Sequence, residues 1–352
     1  MRLGSLSPLP MRALGRNLRV SLLGFGSAPL GELYAKIDED VAVATVRAAR
    51  NAGINLFDTS PHYGNGLAEH RLGAALRKFP RESVVLSTKV GRHMNPLEGG
   101  SAEGKKDVIS PGFAGGLKHK ARFDYSYDGV MRSVEQSLLR LAVDSIDILL
   151  IHDVDVWTHG DEIEQRFKQA MEGAYVALDK LRASGAVKAI GVGLNESEMC
   201  ARFARAGDFD CMLLAGRYSL LEQDSLDTFL PLAVEKKIAI MLGGVFNSGI
   251  LATGPVPGAK YNYRDAPPDI LARAARIEAI CKSHDVPLAV AAMRFPLGHP
   301  AIASVVLGAV TPQEIARNLD GFTQRVPAAL WKDLKAAGAM RADAPAPPET
   351  LS

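Results

Sequence analysis

Residues 24–31 read GFGSAPLG. They close the first apolar run of the chain, SLLGFG (21–26), where an open doubly wound α/β sheet would carry a GxGxxG phosphate turn. The spacing found is GxGxxxxG, and no acidic residue closes a second strand at the distance that would meet a ribose. Seven further apolar runs follow: INLFD (54–58), VVLSTKV (84–90), IDILLIH (146–152), VKAIGVG (187–193), FDCMLLA (209–215), IAIMLGG (238–244) and IASVVLGA (302–309). Each is short and aliphatic, as strands buried on both faces are. Helical spacing fills the gaps. In YDGVMRSVEQSLLRL (127–141), Val130, Val134, Leu138 and Leu141 share one face. DEDVAVATVRAARNAG (38–53) opens on acids and stops at Gly53, and GAYVALDKLRASG (173–185) stops at Gly185. Eight βα units joined by right-handed crossovers predict an α/β fold, a (β/α)8 TIM barrel.

The chain has 352 residues, against about 250 for a typical barrel. Part of the excess lies in two segments, 92–126 and 247–268, both expected as long βα loops at the C-terminal face, where barrel enzymes keep their active sites. One domain spanning 1–352 is expected, with 1–15 and the proline-rich tail 341–352 flexible. Lys plus Arg number 41 and Asp plus Glu 39, too even a balance for a chain whose main partner is nucleic acid or an anionic membrane. No run reaches the ~20 apolar residues of a membrane span, and residues 1–20 lack the apolar core of a signal peptide. Three cysteines, Cys200, Cys211 and Cys281, are too scattered for a disulfide framework or a CxxC metal site. The expectation is a cytoplasmic enzyme with a small-molecule substrate and no metal; a homo-oligomer is compatible with it.

Four polar residues stand at or just beyond consecutive strand ends: Asp58 and Tyr63 in DTSPHYG, Lys89, and His152 in LLIHD. A phenol with a pKa of about 10 is a poor acid or base near neutrality. A neighbouring ammonium would lower that value. Asp58 can hold Lys89, Lys89 can favour ionisation of Tyr63, and His152 can orient a substrate oxygen. Such a set moves one proton to or from a carbinol or carbonyl oxygen. It contains no nucleophile, so a hydride must come from a cofactor. His62 is adjacent and fits either a substrate contact or a turn. His70, His93, His119, His159, His284 and His299 read as ordinary surface or helix residues.

With these residues the chain resembles the aldo-keto reductases. The likeness runs through LGRNLRVSLLGFGSAPLG (14–31), GINLFDTSPHYGNGLAEHRLGAAL (53–76), VVLSTKVG (84–91), SIDILLIHD (145–153), AIGVG (189–193) and GAVTPQEIARNL (308–319). The resemblance implies that Asp58, Tyr63, Lys89 and His152 are the catalytic tetrad, with Tyr63 the general acid/base and His62, Tyr63, His152 and Arg217 meeting substrate. It implies a nicotinamide cofactor held by Gly26, Ser27, Asp58, Asn195, Phe246 and Asn247. Ser248, Gly249 and Leu251 would follow the pyrophosphate, and Gly308, Thr311, Glu314 and Asn318 the adenosine. NADP-preferring members place basic residues where Val310 and Glu314 stand here, so NAD is expected over NADP, with Arg317 the one opposing cation. Strand five reads GVGLN in place of GVSN, and strand six lacks the glutamine three residues before its tyrosine, which puts the carboxamide contacts in doubt.

The 92–126 insertion, IHDVD, AGRYSLLEQ and GGVFNSGILATG…AKYNY resemble the branch containing D-threo-aldose 1-dehydrogenase (L-fucose dehydrogenase) and pyridoxal 4-dehydrogenase. That branch implies oxidation of a cyclic hemiacetal, such as C1 of L-fucose or D-arabinose, to a lactone. The alternatives are pyridoxal oxidation, a general NADPH-dependent aldehyde or ketone reductase, and a cofactor-binding regulatory subunit.

Overall fold

The computed structural model describes residues 9–96 and 113–351. Eight parallel strands close a barrel in chain order: β1 (Leu23–Gly26), β2 (Leu56–Asp58), β3 (Val85–Val90), β4 (Ile148–His152), β5 (Ala189–Leu194), β6 (Cys211–Ala215), β7 (Ala239–Gly243) and β8 (Ile302–Gly308). Each lies within one of the eight apolar runs, except that β5 runs one residue further, to Leu194. β8 pairs with β1 to complete the closure. Alternation along each strand separates two apolar masses. Ile148 and Leu150 on β4, with Leu56, Cys211, Leu213 and Met241, belong to the small inner cluster, while Leu149 and Ile151 pack outward on the helices.

The helices start and stop for local reasons. Helix Glu39–Asn51 is capped by the Asp38 carboxylate, which accepts from the amides of Asp40 and Val41. Helix Tyr127–Leu141 is capped by Ser126 and buries Val130, Val134 and Leu141 against the barrel. Gly185, at φ +78°, ends the helical stretch that includes Val176–Ala183.

Three expectations change. Residues 11–15 are ordered: Met11–Leu14 pairs antiparallel with Leu18–Ser21, and Leu14, Leu18 and Val20 join the inner cluster. Apolar side chains alternating on a two-stranded ribbon can stopper the barrel's lower mouth, which a basic composition does not reveal. Residues 1–8 lie outside the described residues. The tail is fastened down. Arg294, fully buried, donates to the carbonyls of Pro348 and Glu349 as well as Phe322 and Gln324. A proline-rich segment leaves its carbonyls without internal partners, and a distant arginine takes them up.

The third change concerns the 92–126 segment. Its ends form an antiparallel pair, Arg92–Asn95 with Lys120–Phe123, and residues 97–112 between them lie outside the described residues. Segment 247–268 holds a short helix, Ile250–Thr253, and a tight hairpin, Lys260–Tyr261 with Arg264–Asp265, turned at Asn262 and Tyr263.

Candidate active site

At the C-terminal rim of the barrel the strand register sets Gly308 beside Gly26, Gly26 beside Asp58, and Asp58 beside Ser87. Two positions without side chains therefore lead along the rim to Asp58. Asp58 and Lys89 are both buried, and the Lys89 ammonium donates to Asp58 Oδ1 at 2.6 Å, Oδ2 at 2.7 Å and the Thr59 carbonyl at 2.8 Å. The Ser87 hydroxyl donates to Oδ1 at 2.8 Å.

Tyr63 presents its ring to Lys89 Nζ at 5.7 Å from the centroid and to the His152 ring edge-on at 6.1 Å. The expected lowering of the phenol by Lys89 is overturned. Burial, then Asp58, Asp153 and Tyr263, hold Tyr63 well above the ordinary phenol value. The reason is geometric: the ammonium hydrogens are directed at three acceptors on Asp58 and Thr59, and the carboxylate offsets their charge.

His152 meets four neighbours. Its Nδ1 lies 3.2 Å from both Arg92 Nη1 and Ser60 Oγ, its Nε2 lies 3.3 Å from Asp153 Oδ1, and its ring packs near His62. Burial, reinforced by Arg92, Lys89 and His62 against the pull of Asp153, keeps the imidazole well below its usual value and neutral near pH 7. Asp153 is ionised. Burial opposes its charge, but the Arg92 guanidinium, 2.6 Å from Oδ2, outweighs it by its charge and its hydrogen bond.

Tyr63 and His152 sit in a cleft walled by Leu33, Phe113, Trp157 and Tyr263, with Asn195 and Asp153 at its polar edge. Phe113 is brought in by the far end of the 92–126 segment, where the Ala114 amide donates to the Glu32 carbonyl and that of Leu117 to Gly64. Its ring lies T-shaped on His62, which also lines the cleft. Tyr263 stands at the tip of the 260–265 hairpin with φ +63°, uncommon for a bulky residue, and its amide donates to Ser248 Oγ. Arg217 does not line the cleft. It lies over the Trp157 ring at 4.5 Å and donates to the Asn195 carbonyl, supporting the wall from behind.

The residues expected along the cofactor divide. Ser27 Oγ and Thr59 Oγ1, next to the rim, are buried and have no partner among the described residues, as groups awaiting a polar ligand are. In the turn after β7, Asn247, Ser248 and Gly249 all have positive φ, and a Cβ on Gly249 would meet nothing within 4 Å, so that surface is open. Phe246 is half-buried beside it. Two expectations are corrected here. Asn247 turns inward, pairing with Ser219 Oγ and the Gly216 carbonyl. Leu251 is wholly buried, and its amide already donates to Phe246.

Thr311 caps helix Pro312–Thr323, accepting from the Glu314 amide, while Glu314 Oε2 accepts from the Val310 amide. Glu314 thus caps through Oε2, while its Oε1 lies 3.8 Å from Arg317 Nη2. Asn318 follows one turn later, half-buried. The rim glycines, the orphaned hydroxyls and the open β7 turn fit a dinucleotide.

Arg92, Asp153, Ser60, Phe113, Trp157 and Tyr263 were not singled out from the sequence. A signal existed for two: Asp153 directly follows His152, and Arg92 is three residues beyond Lys89. The aromatic walls carry no sequence signature. Of the other histidines, His159 ends the short helix Val156–His159, partly exposed, with its Nε2 3.0 Å from the Tyr125 hydroxyl, which donates to the His152 carbonyl. His93 and His299 are buried.

A model of the Aldo/keto reductase family matches residues 22–339. Pyridoxal 4-dehydrogenase of Microbacterium luteolum is 44% identical over 332 residues, covering 93% of this chain and 97% of that one. D-threo-aldose 1-dehydrogenase of a Pseudomonas species is 38% identical over 323 residues, covering 92% and 95%. Among solved structures, a Bacillus halodurans aldo-keto reductase in its holo form superposes with a TM-score of 0.71 at 25% identity, covering 95% and 97%.

Proposed function

The chain belongs to the aldo/keto reductase family and is an oxidoreductase, and on that premise we propose that it oxidises a cyclic hemiacetal to a lactone, with NAD preferred to NADP. The observation that carries this reading is the pairing, at one end of the cleft, of a phenol (Tyr63) with a neutral imidazole (His152). One group can take a proton from a hydroxyl while the other holds the same oxygen. A nicotinamide dinucleotide, when bound, supplies the hydride acceptor. Tyr63 removes the hemiacetal hydroxyl proton. His152 donates a hydrogen bond to the oxygen as it becomes a carbonyl. Lys89 and Asp58 fix the floor beneath Tyr63 as a buried ion pair, the ammonium 5.7 Å from the centroid of its ring. A hemiacetal suits this site because its ring oxygen eases loss of hydride from the neighbouring carbon.

The aldose reading names L-fucose or D-arabinose. It is supported by the polar cleft edge at Asp153 and Asn195 and by the 38% identity to D-threo-aldose 1-dehydrogenase. Pyridoxal is the second reading, favoured by the flat faces of Phe113, Trp157 and Tyr263 around the cleft and by the 44% identity to pyridoxal 4-dehydrogenase. The NAD preference rests on Glu314. Its carboxylate would repel a 2′-phosphate and accept from ribose hydroxyls, and it draws Arg317 to itself.

The test is NADH appearance with L-fucose, D-arabinose and pyridoxal, with NADP in parallel. Turnover of a sugar or of pyridoxal with NAD supports the reading and selects the substrate. If none is oxidised and simple aldehydes are reduced with NADPH, the hemiacetal assignment is lost.

A further inference from the structure

The tetrad leaves out a buried cation that touches it. Arg92 is the first residue of the strand Arg92–Asn95, 4% exposed, with its guanidinium 4.2 Å from the Phe123 ring centroid and its carbonyl accepting from Ser133 Oγ at 2.8 Å. One of its nitrogens, Nη1, reaches both His152 Nδ1 at 3.2 Å and Asp153 Oδ2 at 2.6 Å. A guanidinium has only donors. The nitrogen that faces it must therefore accept, and a neutral imidazole whose Nδ1 accepts carries its proton on Nε2. Ser60 agrees with this: its oxygen accepts from the His62 amide at 3.1 Å, leaving its hydrogen for Nδ1.

We propose that Arg92 is a positioning residue: from the Nδ1 side it holds His152 in the Nε2–H tautomer, whose hydrogen faces Asp153 Oδ1 at 3.3 Å and is the donor that a substrate oxygen would meet. The proposal rests on the reading of His152 as the substrate-facing imidazole. Moving the proton to Nδ1 would set two donors against each other at 3.2 Å. Adding a second proton would do the same and place a cation among Arg92, Lys89 and His62, with Asp153 the ionised acid beside it and the Tyr63 phenol neutral. Arginine is suited to this task and lysine is not. A planar fork can address an acid and a ring nitrogen in fixed directions, whereas an ammonium is a point charge on a flexible stem.

The experiment needs no substrate. In the full chain labelled with 15N-histidine, the His152 ring nitrogens are identified by their loss in His152→Gln. The expected spectrum shows Nε2 protonated and Nδ1 bare from about pH 5 to about pH 8, where a free imidazole would titrate. A wild-type spectrum with Nδ1 protonated, or an imidazolium at pH 7, overturns the proposal without any Arg92 variant. Arg92→Met removes the donor that faces Nδ1. The imidazole proton is then expected to divide between the two ring nitrogens, and kcat to fall about tenfold or more. Arg92→Lys should keep the fold and fail to restore the single tautomer. Retention of the wild-type tautomer in both variants also overturns the proposal. If the tautomer is as assigned but no hemiacetal turns over, the substrate reading fails and the role of Arg92 stands.

Discussion

Lys89 Nζ lies 2.6 Å from Asp58 Oδ1, and both side chains are almost completely withdrawn from solvent. The pair fixes the base of the site, and its energetics are those of a charge that survives burial only because its partner is present. Asp58→Asn or Lys89→Met alone should each cost about 3–5 kcal/mol, because each leaves one ion uncompensated. The double variant should lose less than the sum, since no lone charge remains. Urea denaturation of the four proteins measures this, and strict additivity would mean that the two groups do not depend on each other.

Tyr63→Phe should lower kcat for hemiacetal oxidation by about 100- to 10,000-fold, the span of a positioned acid/base, with dinucleotide affinity by fluorescence unchanged. Burial and the nearby carboxylates hold the wild-type phenol above its ordinary value, so the active base form grows with pH. Log kcat/KM should climb with a slope near one toward about pH 10. A plateau at neutral pH would show instead that the phenol is already ionised there.

Asp155, buried and capping Thr158 through Oδ1, has its Oδ2 without a partner among the described residues. Burial and then Asp153 push its carboxyl up to about 6, against about 3.9 in an unfolded chain. A carboxyl raised on folding favours the fold while both states keep the proton, below about pH 4, and that benefit is lost as pH rises through about 6. Asp155→Asn keeps the cap and has no proton to lose. It should therefore gain on the wild type by roughly 3 kcal/mol at most between pH 4 and pH 8. Thermal melts at the two pH values compare them; an equal offset at both would refute the shift.

Glu314→Gln preserves an oxygen for the Val310 amide while removing the charge at the rim. The ratio of kcat/KM for NADP over NAD should rise about tenfold, the effect of one like-charge contact near a surface. No change would mean that Glu314 acts only as a cap.

Tyr263→Gly should open one wall of the cleft while relieving a left-handed backbone that costs a non-glycine residue about 1–2 kcal/mol. KM for the preferred substrate should rise severalfold with kcat nearly unchanged. Stability should stay within about 1 kcal/mol, because the lost ring contacts offset the relieved strain. A fall in kcat with constant KM would place Tyr263 with the reacting atoms instead.

How much of this was legible in the sequence differs by kind of residue. All eight barrel strands were, because burial on both faces forces continuous aliphatic runs such as ILLIH and VLSTKV. The polar residues breaking those runs, Asp58, Lys89 and His152, stood out for the same reason. What was hidden depends on long-range closure. The Nη1 of Arg92 meets His152 across sixty residues, and Arg294 captures a tail more than fifty residues away. Neither side chain differs locally from any surface arginine. The phenol environment was misjudged because the sequence pairs Asp58 with Lys89 but cannot say how deeply Tyr63 is buried or that Asp153 and Tyr263 also face it.

Phe113, Trp157 and Tyr263 enter the cleft from three separate connections between strands and helices, whereas the proton-handling groups stand at or just past the strand ends. The two sets are inherited on different pieces of chain. Exchange of one connection between relatives, with Arg92 kept, can therefore change which molecule is accepted while leaving the barrel and its chemistry untouched. A lineage of such proteins can diversify its diet by altering surface peptides, without crossing an inactive intermediate.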